Sequence, residues 1–124
     1  GLWSESKTLE FVPSTESLHE QAGTISENGS VKIEALSLDD FLSGKPASFI
    51  KMDPSCDVEE VMKGAAKTIS KYKPKLALGI YHSLNEFINV PLFIKKQCSE
   101  YKLYLRHNTY HLCDTDLYGY VHDK

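Results

Sequence analysis

The middle of the chain combines short apolar runs with a longer stretch that has helical spacing. Residues 47–52 and 76–81 are apolar runs with prolines beside them, which is typical of buried strands in a parallel sheet. Between these runs the apolar residues recur every three or four positions, as on one face of a helix: Val58, Val61, Met62, Ala65, Ala66 and Ile69. The spacing predicts one continuous helix over residues 58–69, and hence a right-handed βαβ unit with two parallel strands.

The first part of the chain has a weaker alternation, which predicts two strands and a polar loop. Residues 8–12 and 31–36 alternate apolar and polar side chains, as strands with one solvated face do. Residues 14–30 are rich in Ser, Thr, Glu and Gly, which predicts a surface loop. Residues 38–42 are expected to form one helical turn.

The last part of the chain predicts a helix and an antiparallel hairpin. Proline suits the first helical position, so Pro91 predicts a helix from about residue 89 to residue 100. Residues 102–106 and 115–121 alternate like paired strands. We expect this hairpin to extend the sheet of the βαβ unit.

We therefore expect a single partial domain of the α/β class with three segments. Residues 1–46 hold two strands and a loop, residues 47–82 hold the βαβ unit, and residues 83–124 hold the helix and the hairpin.

Composition narrows the possible partners. The net charge is −3 and no basic block is longer than a lysine pair, which argues against nucleic-acid binding and against an anionic membrane surface. No apolar run approaches the ~20 residues that cross a bilayer. The cysteine count is odd, with Cys56, Cys98 and Cys113 widely spaced, which favours reduced thiols in a cytoplasmic protein over one disulfide with a spare thiol.

Polar residues follow the two predicted parallel strands where each ends. Asp53 follows the first strand and His82 follows the second. Ligands bind at the carboxyl ends of strands in open α/β sheets, and neighbouring strands lie ~4.8 Å apart, so the two side chains are expected to share one rim. A histidine or carboxylate there can remove a proton from an acceptor hydroxyl. The alternatives are a helix N-cap at Asp53, with Pro54 at the first helical position, and a solvated strand end at His82.

Three short sequences resemble one enzyme family. Leu38-Asp39-Asp40, Lys51-Met52-Asp53 and the run Val61-Met-Lys-Gly-Ala65 resemble motifs of the FkbM family of S-adenosylmethionine-dependent methyltransferases. The resemblance covers most of the chain from about residue 31 to residue 121. It implies the C-terminal half of a Rossmann-like methyltransferase sheet, S-adenosylmethionine as the cofactor, and a hydroxyl of a sugar or small metabolite as the methyl acceptor.

The resemblance also suggests roles for the acidic pair. An acidic side chain near the adenosine of the cofactor can accept hydrogen bonds from it, so Asp39 and Asp40 are predicted cofactor contacts. The structural alternative is that Ser37 or Asp39 caps the short helical turn.

The chain departs from the family pattern in two places. Residues 54–58 read Pro-Ser-Cys-Asp-Val where the family has an acidic turn with a glycine. The glycine-rich loop and the acid that binds the ribose are absent, and they would precede Gly1. We therefore expect a truncated piece that is inactive and does not bind S-adenosylmethionine by itself.

Two other classes of protein remain open at this point: a non-catalytic α/β relative, and an interaction module with a structural zinc. The zinc ligands would be Cys98, His107, His111 and Cys113.

Cys56 follows a predicted helix start, where a thiolate nucleophile would be stabilised. Lys51, inside a predicted buried strand, is expected to form an ion pair with an acid such as Glu60.

Overall fold

The computed structural model describes residues 1–13, 24–53, 57–110 and 114–122, and these form two sheets with helices beside the larger one. The smaller sheet is antiparallel, in the order β2-β1-β3, and the larger sheet has the order β4-β5-β7-β6. The strands are β1 (Lys7–Val12), β2 (Thr24–Ile25), β3 (Val31–Ala35), β4 (Phe49–Met52), β5 (Lys75–Gly79), β6 (Lys102–His107) and β7 (Thr115–Tyr120). The helices are α1 (Leu38–Leu42), α2 (Val58–Lys63), α3 (Ala66–Tyr72) and α4 (Leu84–Gln97).

The larger sheet confirms the predicted α/β class. β4 and β5 are parallel neighbours, with Met52 opposite Leu78. β7 pairs antiparallel with β5, and β6 pairs antiparallel with β7, so the hairpin extends the same sheet. Among the described strands β4 lies at an edge of the sheet.

The main core lies between one face of this sheet and the helices. Leu76 and Leu78 of β5 point into it and are fully buried, whereas the intervening Ala77 faces the other side. The helices contribute an apolar set that is also fully buried: Val58, Met62, Ile69, Val90 and Ile94. Burial of a side chain of this size contributes about 1.5–3 kcal/mol, so this layer fixes the sheet and helps to hold its strand ends in place.

The predicted continuous helix over residues 58–69 is wrong, because the chain breaks into α2 and α3 at Gly64 and Ala65. A Cβ atom at residue 64 would collide with the carbonyl oxygen of Trp3, and the Gly64 carbonyl accepts a hydrogen bond from the Asp39 backbone N–H at 2.9 Å. The apolar spacing continues across the break because both helices bury their apolar side chains in the same core.

The predicted start of the last helix is also wrong. α4 begins at Leu84 rather than residue 89, because Ser83 caps it by accepting a hydrogen bond from the Glu86 backbone N–H at 3.1 Å. Pro91 lies inside the helix, where it removes one backbone donor. Val90 and Ile94 are both fully buried, and this packing holds the helix together on either side of the proline.

Two smaller expectations are corrected. The short strand β2 lies within the stretch predicted to be loop, and it pairs with the end of β1. The predicted ion pair of Lys51 with Glu60 is wrong: Glu60 pairs instead with Lys63 at 2.6 Å, and Lys51 is exposed on its edge strand, where water can solvate the ammonium group.

No helix among the described residues is long and apolar enough to span a membrane.

Candidate active site

Asp53 and Tyr81 meet just beyond the ends of β4 and β5. The Tyr81 hydroxyl donates a hydrogen bond to Asp53 Oδ1 at 3.1 Å. The Asp53 carboxylate also lies against the backbone of Gly79, where an added Cβ atom would collide with Oδ1. The absence of a side chain at residue 79 therefore lets the carboxylate approach the sheet closely.

His82 is held between Tyr81 and the start of α4. Its ring stacks on the Tyr81 ring, with centroids 4.1 Å apart and planes inclined by 29°. Its Nδ1 atom lies 3.7 Å from Oε2 of Glu86. The His82 side chain is 23% exposed, so a part of the imidazole stays open to solvent beside these two contacts.

A cleft of about 350 Å³ opens beside His82. Its polar lining includes His82, Ser83 and Thr115, and its apolar wall includes Leu84 and Phe87. A cleft of this size, lined by an imidazole, three hydroxyl-bearing residues (Tyr81, Ser83 and Thr115) and an apolar wall, has the chemistry to bind a small hydroxylated molecule.

Asp53 and His82 thus lie at the same rim of the sheet, and Tyr81 connects them. Asp53 is not among the residues that line the cleft, and among the described residues the Tyr81 ring links it to His82. Sequence reasoning missed Tyr81 and Glu86, although both left a signal. Tyr81 follows Gly79 in strand alternation, and Ser83-x-x-Glu86 has the spacing of a helix capping box.

Asp53 is not the N-cap of α2, which was the structural alternative for this residue. The helix begins at Val58, and its N-cap residue is Asp57, in the left-handed conformation with φ of 64°. Cys56 and Pro54 lie outside the described residues.

Asp39 has a structural partner that the sequence did not reveal. Its carboxylate accepts hydrogen bonds from the Lys67 backbone N–H at 2.9 Å, the Thr68 backbone N–H at 2.8 Å and the Thr68 hydroxyl at 2.7 Å. These backbone donors belong to the first turn of α3, where a negative charge is stabilising. Asp39 therefore caps α3, whereas Ser37 caps α1 by accepting from the Asp40 backbone N–H at 3.0 Å. Asp40 itself is exposed.

The residues proposed as zinc ligands fall partly outside the described residues, which include neither His111 nor Cys113. His107 Nδ1 lies 2.9 Å from the Thr115 hydroxyl oxygen. Within the described part of the chain, no three His, Cys, Asp or Glu residues lie close enough together to hold a metal ion.

The chain is similar to a solved methyltransferase structure. That structure is methyltransferase FkbM from Methylobacillus flagellatus KT, and the two chains are 28% identical with a TM-score of 0.74. The similarity covers 97% of this chain but 27% of that chain, so this chain spans about a quarter of the length of the protein it resembles. No family model and no curated protein matches this chain. The mixed sheet described above is thus that of a partial Rossmann-like methyltransferase fold.

Proposed function

We propose that this chain is the C-terminal portion of an FkbM-type methyltransferase. The whole enzyme would transfer a methyl group from S-adenosylmethionine to a hydroxyl of a sugar or another small metabolite. The observation that carries the proposal is the similarity over 97% of the chain to a structure named methyltransferase FkbM. The polar rim at the carboxyl ends of β4 and β5 supports it, since ligands of open α/β sheets bind at such ends.

In this proposal His82 is the general base. Its imidazole lines the cleft, so it can take the proton of an acceptor hydroxyl that binds there. Asp53 contributes a carboxylate at the same rim, oriented by the hydroxyl of Tyr81. Because Asp53 does not line the cleft, its proposed role is to hold Tyr81, on whose ring the His82 imidazole stacks.

The two predicted cofactor contacts differ in their surroundings. The carboxylate of Asp39, one of the two predicted contacts, is engaged by the first turn of α3. Asp40 is exposed and remains the proposed contact to adenosine. Among the described residues no glycine-rich loop follows a strand, and such a loop is the usual cradle for this class of cofactor. We therefore propose that S-adenosylmethionine binds only to a longer polypeptide that includes this chain.

The proposal extends to partners and location. A small hydroxylated molecule is the expected partner, with neither nucleic acid nor membrane, and the odd number of cysteines favours the cytoplasm. A non-catalytic relative is the second candidate, and the altered sequence of residues 54–58 favours it.

The test is methyl transfer by the longer encoded protein, measured with radiolabelled S-adenosylmethionine and a panel of hydroxylated sugars. His82→Ala should lower turnover by roughly 10²–10⁴, the range for loss of a general base, with cofactor affinity unchanged. His122→Ala is the matched control, because His122 packs on Tyr120 at the opposite end of β7. Turnover of the His82→Ala protein within about threefold of the parent would assign the base to another group.

A further inference from the structure

Glu86 is a buried acid with one oxygen unsatisfied. Its side chain is 8% exposed, and Oε2 has no hydrogen-bond partner among the described residues. A buried carboxylate oxygen without a partner carries a desolvation cost that other groups must offset. Glu86 lies in the first turn of α4, where the helix dipole stabilises its negative charge.

The unsatisfied oxygen is directed at His82. Oε2 lies 3.7 Å from Nδ1, which is close to but beyond hydrogen-bond length. In a capping box the acid at this helix position reaches back to the backbone N–H of the N-cap residue. In the described part of this chain, the Ser83 backbone N–H makes no such hydrogen bond to Glu86. The Glu86 carboxylate instead faces the His82 imidazole.

Three acids on neighbouring elements have partners of their own. Each of their carboxylates has a partner: Asp53 is bound by Tyr81, Glu59 of α2 by Asn89, and Asp116 of β7 by Asn108 and Tyr118. One face of the imidazole stacks on the uncharged ring of Tyr81. Among the ion pairs of the described residues, the acid within 4 Å of His82 is Glu86.

We propose that Glu86 is a positioning residue for His82. A small rotation of its side chain shortens the 3.7 Å separation to a hydrogen bond, in which Nδ1–H of His82 donates to Oε2. This bond fixes the neutral imidazole with its proton on Nδ1 and keeps the lone pair on Nε2 available.

The consequence for chemistry rests on the proposed function. When the O–H bond of an acceptor breaks, its proton goes to Nε2 and the electron pair stays on the acceptor oxygen. His82 is then an imidazolium, and the adjacent Glu86 carboxylate stabilises the positive charge. The pairing of Glu86 with His82 does not itself depend on which acceptor binds.

The first test uses the 124-residue chain. Long-range ¹H–¹⁵N spectra of the neutral His82 ring report which nitrogen carries the proton. The proposal predicts the proton on Nδ1 in the parent chain, and a proton found mainly on Nε2 would overturn it, whatever any variant does. Glu86→Leu should shift the proton toward Nε2, while Glu86→Gln should retain it on Nδ1, because the amide oxygen can still accept the hydrogen bond.

The control and the activity assay separate this inference from the methyltransferase proposal. Glu59→Leu removes an acid from the neighbouring helix α2 and should leave the His82 tautomer unchanged. In the longer protein Glu86→Gln should lower kcat by about tenfold with KM nearly constant, as expected for loss of a charge that acts mainly in the transition state. An Nδ1 proton in a protein without methyl transfer would refute the proposed function alone. Methyl transfer by a protein whose His82 proton lies on Nε2 would refute the role of Glu86 alone.

Discussion

Replacement of Asp39 by alanine separates a structural role from a cofactor role for this residue. The carboxylate satisfies two backbone N–H groups at the start of α3 and the hydroxyl of Thr68. Lys67 is exposed, so water can replace the lost acceptor there. Thr68 is 3% exposed, so its N–H and hydroxyl would lose their partner where water cannot easily reach them.

The expected cost follows from these contacts. Loss of a helix cap costs about 0.5–2 kcal/mol, and a buried polar group left unsatisfied costs about 1–3 kcal/mol. The two terms overlap at the Thr68 N–H, so we expect the free energy of unfolding to fall by about 2–3 kcal/mol. A small domain has a total stability of about 5–15 kcal/mol, so the loss should be plain in a denaturation curve.

Urea unfolding followed by circular dichroism is the assay. Asp40→Ala is the matched control, because this neighbouring carboxylate is exposed, and its unfolding free energy should change by no more than about 0.5 kcal/mol. Thr68→Val combined with Asp39→Ala should show a coupling of at least about 0.5 kcal/mol. Equal stability of the Asp39→Ala and Asp40→Ala proteins would refute the capping role of Asp39, since its carboxylate would then be free to contact a ligand.

Two further predictions concern stability. Tyr101 is 1% exposed and donates a hydrogen bond to the Pro74 carbonyl at 2.6 Å. Tyr101→Phe should therefore lower the unfolding free energy by about 1–3 kcal/mol in thermal or urea denaturation. No change would mean that water reaches that carbonyl. The hydrogen bond from Lys63 lowers the pKa of Glu60 below its ordinary value of 4.5, so the pair stabilises the fold above about that pH, and the contribution is lost as the pH falls through the lowered value. This partly exposed pair contributes less than about 1 kcal/mol. Glu60→Gln should remove that part of the dependence of the urea midpoint on pH between about pH 7 and pH 3. An unchanged dependence would assign it to other groups.

The sequence predicted the parallel unit because its signals are local. Short apolar runs next to prolines marked β4 and β5, and the alternation after residue 101 marked the hairpin. The break between α2 and α3 left no such signal. It depends on Trp3 and Asp39, which are distant in sequence, while the apolar period runs on through the break. The start of α4 was predictable from Ser83-x-x-Glu86, but the preference of proline for a first helical position pointed to a later start.

The candidate site was predictable only in outline. The rule that ligands bind at the carboxyl ends of strands brought Asp53 and His82 to one rim. Two details needed the fold: the stacking of His82 on Tyr81, and the approach of Glu86, which depends on where α4 begins. The capping of α3 by Asp39 could not be foreseen, because a carboxylate in one short helix gives no sign that it serves another helix.

Calorimetric titration with S-adenosylmethionine tests the central claim that this chain is one portion of a methyltransferase. The 124-residue chain should show no saturable binding with a Kd below about 100 µM, or about −5.5 kcal/mol. The longer encoded polypeptide should bind more tightly than that. Saturable binding by the 124-residue chain would show that the cofactor site has been misplaced, and absence of binding by the longer polypeptide would contradict the methyltransferase account.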